Sequence, residues 1–216
     1  MIFHRLTSPF QGNKNSDLLY KWADHILHDE ESLVKVLSIR LGALKKVCRV
    51  TNFKNRKMIA EGLIMSKLSY LIPLWSGCET YLLMALQRIQ NKAMRVVTRS
   101  DLSTAGHLAQ CGWLSVKQLA FYQTCVLVFN VLENKSPQYL YKMFNREYMK
   151  NTRQAARREI RQDGGIPDLG LMCNSFRWRT LREFNQIPAE LRKVGALKSF
   201  KTGLKKWIVL NIPIYP

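Results

Sequence analysis

Apolar residues recur at three- and four-residue steps along nearly all of this sequence, and no stretch sustains the alternation of a half-buried strand. A period near 3.6 gathers such residues on one side of a helix, and that side needs a partner surface. Ser16 and Asp17 are placed to cap a first helix through His28. After Asp29, the row Leu33, Leu37, Leu41, Leu44 and Cys48 marks one face of a longer helix. Asn52 offers the next cap, for a helix from Lys54 carrying Ile59, Leu63, Leu71 and Leu74 to about Trp75. Pro73 is expected to kink or end it, and Gly77 to stop it.

Thr80 opens a fourth helix with Leu82, Leu86, Ile89, Ala93 and Val96 or Val97 inward. Ser103 starts a short helix that Gly112 ends. Ser115 starts an unusually apolar one through Asn134, carrying Leu119, Phe121, Tyr122, Val126, Phe129 and Leu132, which reads as the central core helix. Ser136-Pro137 puts proline at the beginning of a helix with Leu140, Tyr141 and Phe144. Met149–Cys173 holds Gly164, Gly165, Pro167 and Gly170 with little periodicity and reads as an extended connection. Regularity returns at Ser175, with one helix through Gln186 before Pro188 and a last one presenting Leu197, Phe200, Leu204 and Trp207. The expected fold is all-α: a multi-helix bundle with a long irregular connection before a C-terminal helical segment.

Charge narrows the function. Across 216 residues, 34 Lys and Arg face 15 Asp and Glu, a net charge of +19. That excess makes a positive field suited to polyanions: DNA, RNA or an anionic membrane surface. The excess is segmented. Asp17–Glu31 is acidic, Ser32–Arg99 is strongly basic, Leu102–Tyr148 is near neutral, and Asn151–Lys206 is basic again. The longest uncharged run, Gln118–Leu132, is shorter than the ~20 apolar residues of a membrane span. Met1–Phe10 has no sustained apolar run of the kind that opens a secretory signal. The five cysteines are odd in number and contain no CxxC spacing, which fits neither a disulfide framework nor a zinc site and favours a reducing, intracellular setting.

The sharpest constellation is Arg88, Lys92, Arg95 and Arg99, spaced i, i+4, i+7 and i+11 on one face of the fourth helix. A regular row of phosphates is the natural counterpart of such a stripe. Gln87, Gln90 and Asn91 stand beside it as neutral hydrogen-bonding groups. Charge runs are usually just solvated faces, but this one has no acids at i±4 to support it locally, which favours a ligand. A second group straddles a turn: Lys45, Lys46, Arg49, Lys54, Arg56 and Lys57. A third, Lys198, Lys201 and Lys205, lies on the last helix. For these two, binding and simple solvation weigh equally. Arg177 and Arg179 flank Trp178, a mixture that can stack on bases, although a tryptophan in a small helical domain is more often core.

Catalytic and metal sites do not assemble. His107 and Cys111 share an i, i+4 step but lack an orienting third group. His25 and His28 have no ligand cluster around them. No Walker-type loop occurs, and no Asp-Asp pair offers the carboxylates of two-metal phosphoryl transfer. No cofactor, metal or small-molecule substrate is expected.

A series of short motifs runs in order through the chain. It begins with Ser32-Leu33, Arg40-Leu41-Gly42-Ala43-Leu44 and Arg56-Lys57. Leu68-Ser69-Tyr70-Leu71-Ile72-Pro73-Leu74-Trp75-Ser76-Gly77 follows, then Leu86-Gln87-Arg88-Ile89-Gln90-Asn91-Lys92-Ala93-Met94-Arg95. Gly112-Trp113-Leu114-Ser115-Val116, Asn151-Thr152-Arg153-Gln154-Ala155, Ser175-Phe176-Arg177-Trp178-Arg179 and Asn185-Gln186-Ile187-Pro188-Ala189-Glu190-Leu191-Arg192 come next. Leu197-Lys198-Ser199-Phe200-Lys201 and Leu204-Lys205-Lys206-Trp207 close it. This order resembles the region downstream of the polymerase palm in non-LTR (LINE-type) retrotransposon reverse transcriptases, over about residues 30–212. The resemblance implies a helical thumb and a C-terminal helical extension, parts that hold template–primer and element RNA while the palm does the chemistry. The family's Phe/Tyr-x-Asp-Asp motif, its endonuclease domain and the Cys-Cys-His-Cys knuckle of some members are absent, and Phe184-Asn185 stands where Trp-Asn is frequent.

The organisation expected on this basis is an unmatched segment at 1–16, a thumb-like basic helical domain at 17–100 and apolar core helices at 101–148. An extended connection with a basic helical segment completes it at 149–216. Met1 is then expected to fall just after a palm, as in a truncated element copy or a gene fragment. The expected function is a non-catalytic, RNA- or DNA-binding part of an RNA-directed DNA polymerase, in the cytoplasm or nucleus. The alternatives are a host-used nucleic-acid-binding module and a basic protein that binds membrane surfaces. The last would need a free helix with basic residues along an apolar face, and Leu197, Phe200, Leu204 and Trp207 are expected to dock in the core instead.

Overall fold

The computed structural model describes residues 33–77, 80–148 and 176–214. Helix makes up about 81% of it and no strand occurs among the described residues, which gives the all-α class. The expected helix from Ser16 to His28 and the extended connection at Met149–Cys173 lie outside the described residues.

Helix α1 (33–47) buries Leu37, Leu41 and Leu44 and passes into a 3-10 turn, Cys48–Val50, where Cys48 is buried. Asn52 caps α2 (Phe53–Ala60) by accepting from the Asn55 amide at 2.9 Å. A π-helical turn, Glu61–Met65, separates α2 from α3 (Ser66–Ser69). The chain breaks at Tyr70–Leu71, where Leu71 takes a left-handed φ of 51°, and resumes as α4 (Ile72–Trp75). Two sequence expectations are corrected here. The break comes two residues before Pro73, because a proline ring in a continuous helix would meet the carbonyl four residues back. Placed in the first turn of α4, it meets none. The inward face is also the neighbouring one: Ala60, Ile64, Leu68, Ile72 and Trp75 are buried, whereas Leu71 and Leu74 are exposed and Ile59 and Leu63 lie at the margin. Both rows are apolar, so periodicity alone did not choose between them.

Helix α5 (Thr80–Thr98) presents Leu82, Leu86, Ile89, Ala93 and Val97 inward. Ser103 caps α6 (Thr104–Cys111), and Gly112 ends it with φ 68°, a left-handed cap that a residue with a Cβ adopts only under strain. A reciprocal capping box between Ser115 and Gln118 opens α7 (Val116–Asn134). Helix α8 (Gln138–Tyr148) follows, and α9 (Phe176–Asn185), α10 (Ala189–Arg192) and α11 (Leu197–Asn211) complete the described chain. Gly203 admits a close approach of α10, since a Cβ there would lie 2.7 Å from Leu191 Cδ2.

Among the described residues two hydrophobic clusters form, and they meet in α7. The first joins α1 through α6 to Val116 and Ala120. The second joins the rest of α7, from Phe121 onward, to Phe144 of α8, Leu181 and Phe184 of α9, Ile187, and Phe200, Leu204 and Ile208 of α11. Phe129 and Phe200 stack with centroids 4.1 Å apart. Because it serves both clusters, α7 is apolar nearly all round instead of on one stripe.

Candidate nucleic-acid interface

The inward face of α5 is fixed by the first cluster, so the opposite face is held outward. Arg88, Lys92 and Arg95 are exposed on it, and no carboxylate pairs with any of them among the described residues. Successive members are three or four residues apart, roughly 4.5–6 Å along the axis. Arg99 is differently used. It follows the helix with φ 51°, and its Nη2 donates to the carbonyls of Cys48 at 2.5 Å and Arg49 at 2.7 Å. Arg99 therefore clamps the turn after α1 while its side chain remains partly in solvent.

This clamp brings two distant basic segments together. Lys45, Lys46 and Arg49 are exposed around the turn that Arg99 holds, and Lys54 is exposed on the first turn of α2. Arg56 belongs to the same sequence group but not to its surface. It is only 7% exposed, and it donates from Nε to Val97 O at 2.8 Å and from Nη1 to Thr51 O at 2.5 Å. A buried guanidinium committed to main-chain carbonyls ties the fold and is not placed to reach a ligand. Lys57 is half-buried and pairs with Glu61 at 3.9 Å.

The C-terminal arm divides in the same way. Arg179 is 6% exposed, donates to the carbonyls of Pro73 and Leu74, and lies 3.9 Å from Glu183. It docks α9 onto α4 and is removed from the candidate ligands. The side chains of Arg177 and Trp178 lie outside the described set. Lys198 is exposed, Lys201 half-buried, and Lys205 exposed with its Nζ donating to Gly112 O at 3.0 Å.

Gln87 and Gln90, which sequence places beside the stripe, are buried. Gln87 accepts from the Val116 amide at 2.8 Å and donates to Gln90 Oε1 at 2.9 Å and Asn91 Oδ1 at 2.8 Å. Gln90 donates to Leu114 O at 2.8 Å. These amides anchor the start of α7 to α5 and face away from the cations. Sequence reasoning missed this because a glutamine beside a basic stripe looks the same whether it faces water or a loop carbonyl.

The His107–Cys111 pair is equally internal. His107 Nδ1 lies 2.9 Å from Thr98 Oγ1 inside the core. Burial pushes the Cys111 thiol up, and the nearby Lys57 ammonium only partly offsets this. Burial raises Cys125 still further. Thiols held protonated in this way are poor nucleophiles. Among the described residues, no three His, Cys, Asp or Glu gather into a metal site, and no helix is long and apolar enough to cross a membrane. Comparison with family models, curated proteins and solved structures finds no match to this chain.

Proposed function

We propose that this chain is a non-catalytic nucleic-acid-binding helical module, equivalent to the thumb and C-terminal extension of a LINE-type reverse transcriptase. The observation that carries the reading is the outward row Arg88, Lys92 and Arg95, which has no acidic partner among the described residues and lies on a helix whose other face is locked in the core. Like charges in line repel one another mildly even in water, an anion that neutralises them relieves this, and a sugar–phosphate backbone is the anion of matching form. Lys45, Lys46, Arg49 and Lys54 extend the positive field past the end of α5, and Lys198, Lys201 and Lys205 add a second basic region. The motif order points to the retroelement origin, to an intracellular setting and to a palm elsewhere for the chemistry. In this reading the chain alone does not extend a primer.

The test is binding of labelled RNA and DNA to the purified chain and to a variant with Arg88→Glu, Lys92→Glu and Arg95→Glu. The variant is expected to stay folded by circular dichroism and to lose affinity for every sequence alike, since phosphate contacts carry no base information. Unchanged affinity in a folded variant would refute the role of the row.

A further inference from the structure

The outward face of α5 does not end with its cations. On an α-helix each residue turns the chain by about 100°. Tyr81, Met84, Arg88, Lys92 and Arg95 therefore fall within one stripe that runs the length of the helix. Its N-terminal end is apolar: Tyr81 is 57% exposed and Met84 is 41% exposed. An aromatic ring and a thioether in line with three cations form a two-part surface, charged over the last three turns and apolar at the first.

From this we infer that the α5 stripe binds a strand with an unpaired base, its phosphates on Arg88, Lys92 and Arg95 and the base on Tyr81 with Met84 beside it. This rests on the reading of the cations as a nucleic-acid contact and adds the class of ligand. Continuous duplex keeps its bases stacked on one another and offers no free face, whereas a single strand or an overhang does. Charge complementarity selects a polyanion, and the apolar end selects one that also carries accessible aromatic faces. Tyr81 lies about 10 Å along the axis from Arg88, so backbone and base contacts come from neighbouring positions of one strand.

The experiment uses the full chain and four probes: a short single-stranded RNA, an abasic strand of equal length, a blunt duplex, and vesicles of mixed phosphatidylserine and phosphatidylcholine. Tyr81→Ala is expected to weaken binding to the base-bearing strand by between about five- and a hundredfold, the range that loss of one base–aromatic stack produces. Tyr81→Phe keeps the ring and should bind as the parent does. The abasic strand and the duplex should be indifferent to both substitutions. Equal loss on the abasic strand, or no loss on any strand, overturns the inference, as does Tyr81-dependent binding to vesicles in preference to RNA. The triple charge reversal separates the two levels. If it weakens binding while Tyr81→Ala does nothing, only the base contact falls. If it changes nothing, both readings fall.

Discussion

Arg56 of α2 donates from Nε to the main-chain oxygen of Val97, at the last turn of α5, across 2.8 Å. The carbonyls that close a helix have no partner within it, and here a buried guanidinium supplies one while also holding Thr51 O. The same contact aligns the start of α2 with the end of the cationic helix.

Arg56→Ala is therefore expected to destabilise the fold by about 2–3 kcal/mol, the usual effect of removing charge-assisted bonds to buried carbonyls. Arg56→Lys should fall between, because an ammonium cannot serve both oxygens with a planar fork. Urea titrations of the three proteins check the order. A melt for Arg56→Ala equal to that of the parent would show the contact to be energetically idle.

Gln90→Leu removes the donor to Leu114 O and leaves Gln87 with one acceptor fewer inside the protein. A buried carbonyl stripped of its partner costs about 1–3 kcal/mol. The expected result is a lower denaturation midpoint with nucleic-acid affinity unaltered in the folded protein. A folded variant with markedly weaker binding would mean that Gln90 touches the ligand after all.

Three phosphate contacts from Arg88, Lys92 and Arg95 imply a log–log salt slope of roughly −2 from α5 on a single strand, and roughly −3 on duplex. Each single reversal should flatten the slope by about one unit or slightly less. Affinity measured over a series of salt concentrations gives this directly. A slope that ignores all three substitutions would assign the ion release to other lysines and arginines.

Glu183 supplies the pH prediction. Burial pushes its carboxyl above the usual 4.5, against the opposing pull of Arg179, the Thr124 hydroxyl and Arg182. The folded state thus holds this proton more tightly than the unfolded chain does. Its contribution to stability is greatest below pH 4.5 and declines as pH rises through the folded value. Glu183→Gln should gain on the parent as pH increases through that window. Paired melts at acidic and neutral pH test the sign, and a relative gain toward acid would contradict it.

The helix boundaries that depend on local chemistry were legible before the structure. Asn52, Ser103, Ser115 and Gly112 act through bonds spanning only a few residues, and each caps where its sequence context indicated. The inward row of α5 was legible as well, since beyond Met84 the apolar residues of that helix lie on one side of it. Where two apolar rows lie side by side, as in α2 to α4, only the neighbours decide which turns inward, and Arg56 at the head of the row Ala60, Ile64 and Leu68 is one of the contacts that decide it. The candidate interface was partly legible. Spacing identified the stripe, but the internal duties of Arg56, Arg99, Arg179, Gln87 and Gln90 depend on main-chain groups 24 to 106 positions away along the chain. Tyr81 and Met84 carried a signal too, being in phase with Arg88, yet an apolar residue at the head of a helix is ordinarily assigned to packing.

Helix α7 has a consequence for how the molecule opens. Its first turns are wall to one cluster and the remainder to the other, and the Val116 amide is fastened to Gln87 of α5. Neither half can melt without stripping that shared helix from the other, so denaturation should proceed in a single step. Amide protons of α9 and α11 should then exchange through the same global event as those of α1. A strand captured on α5 would slow exchange in helices it never touches.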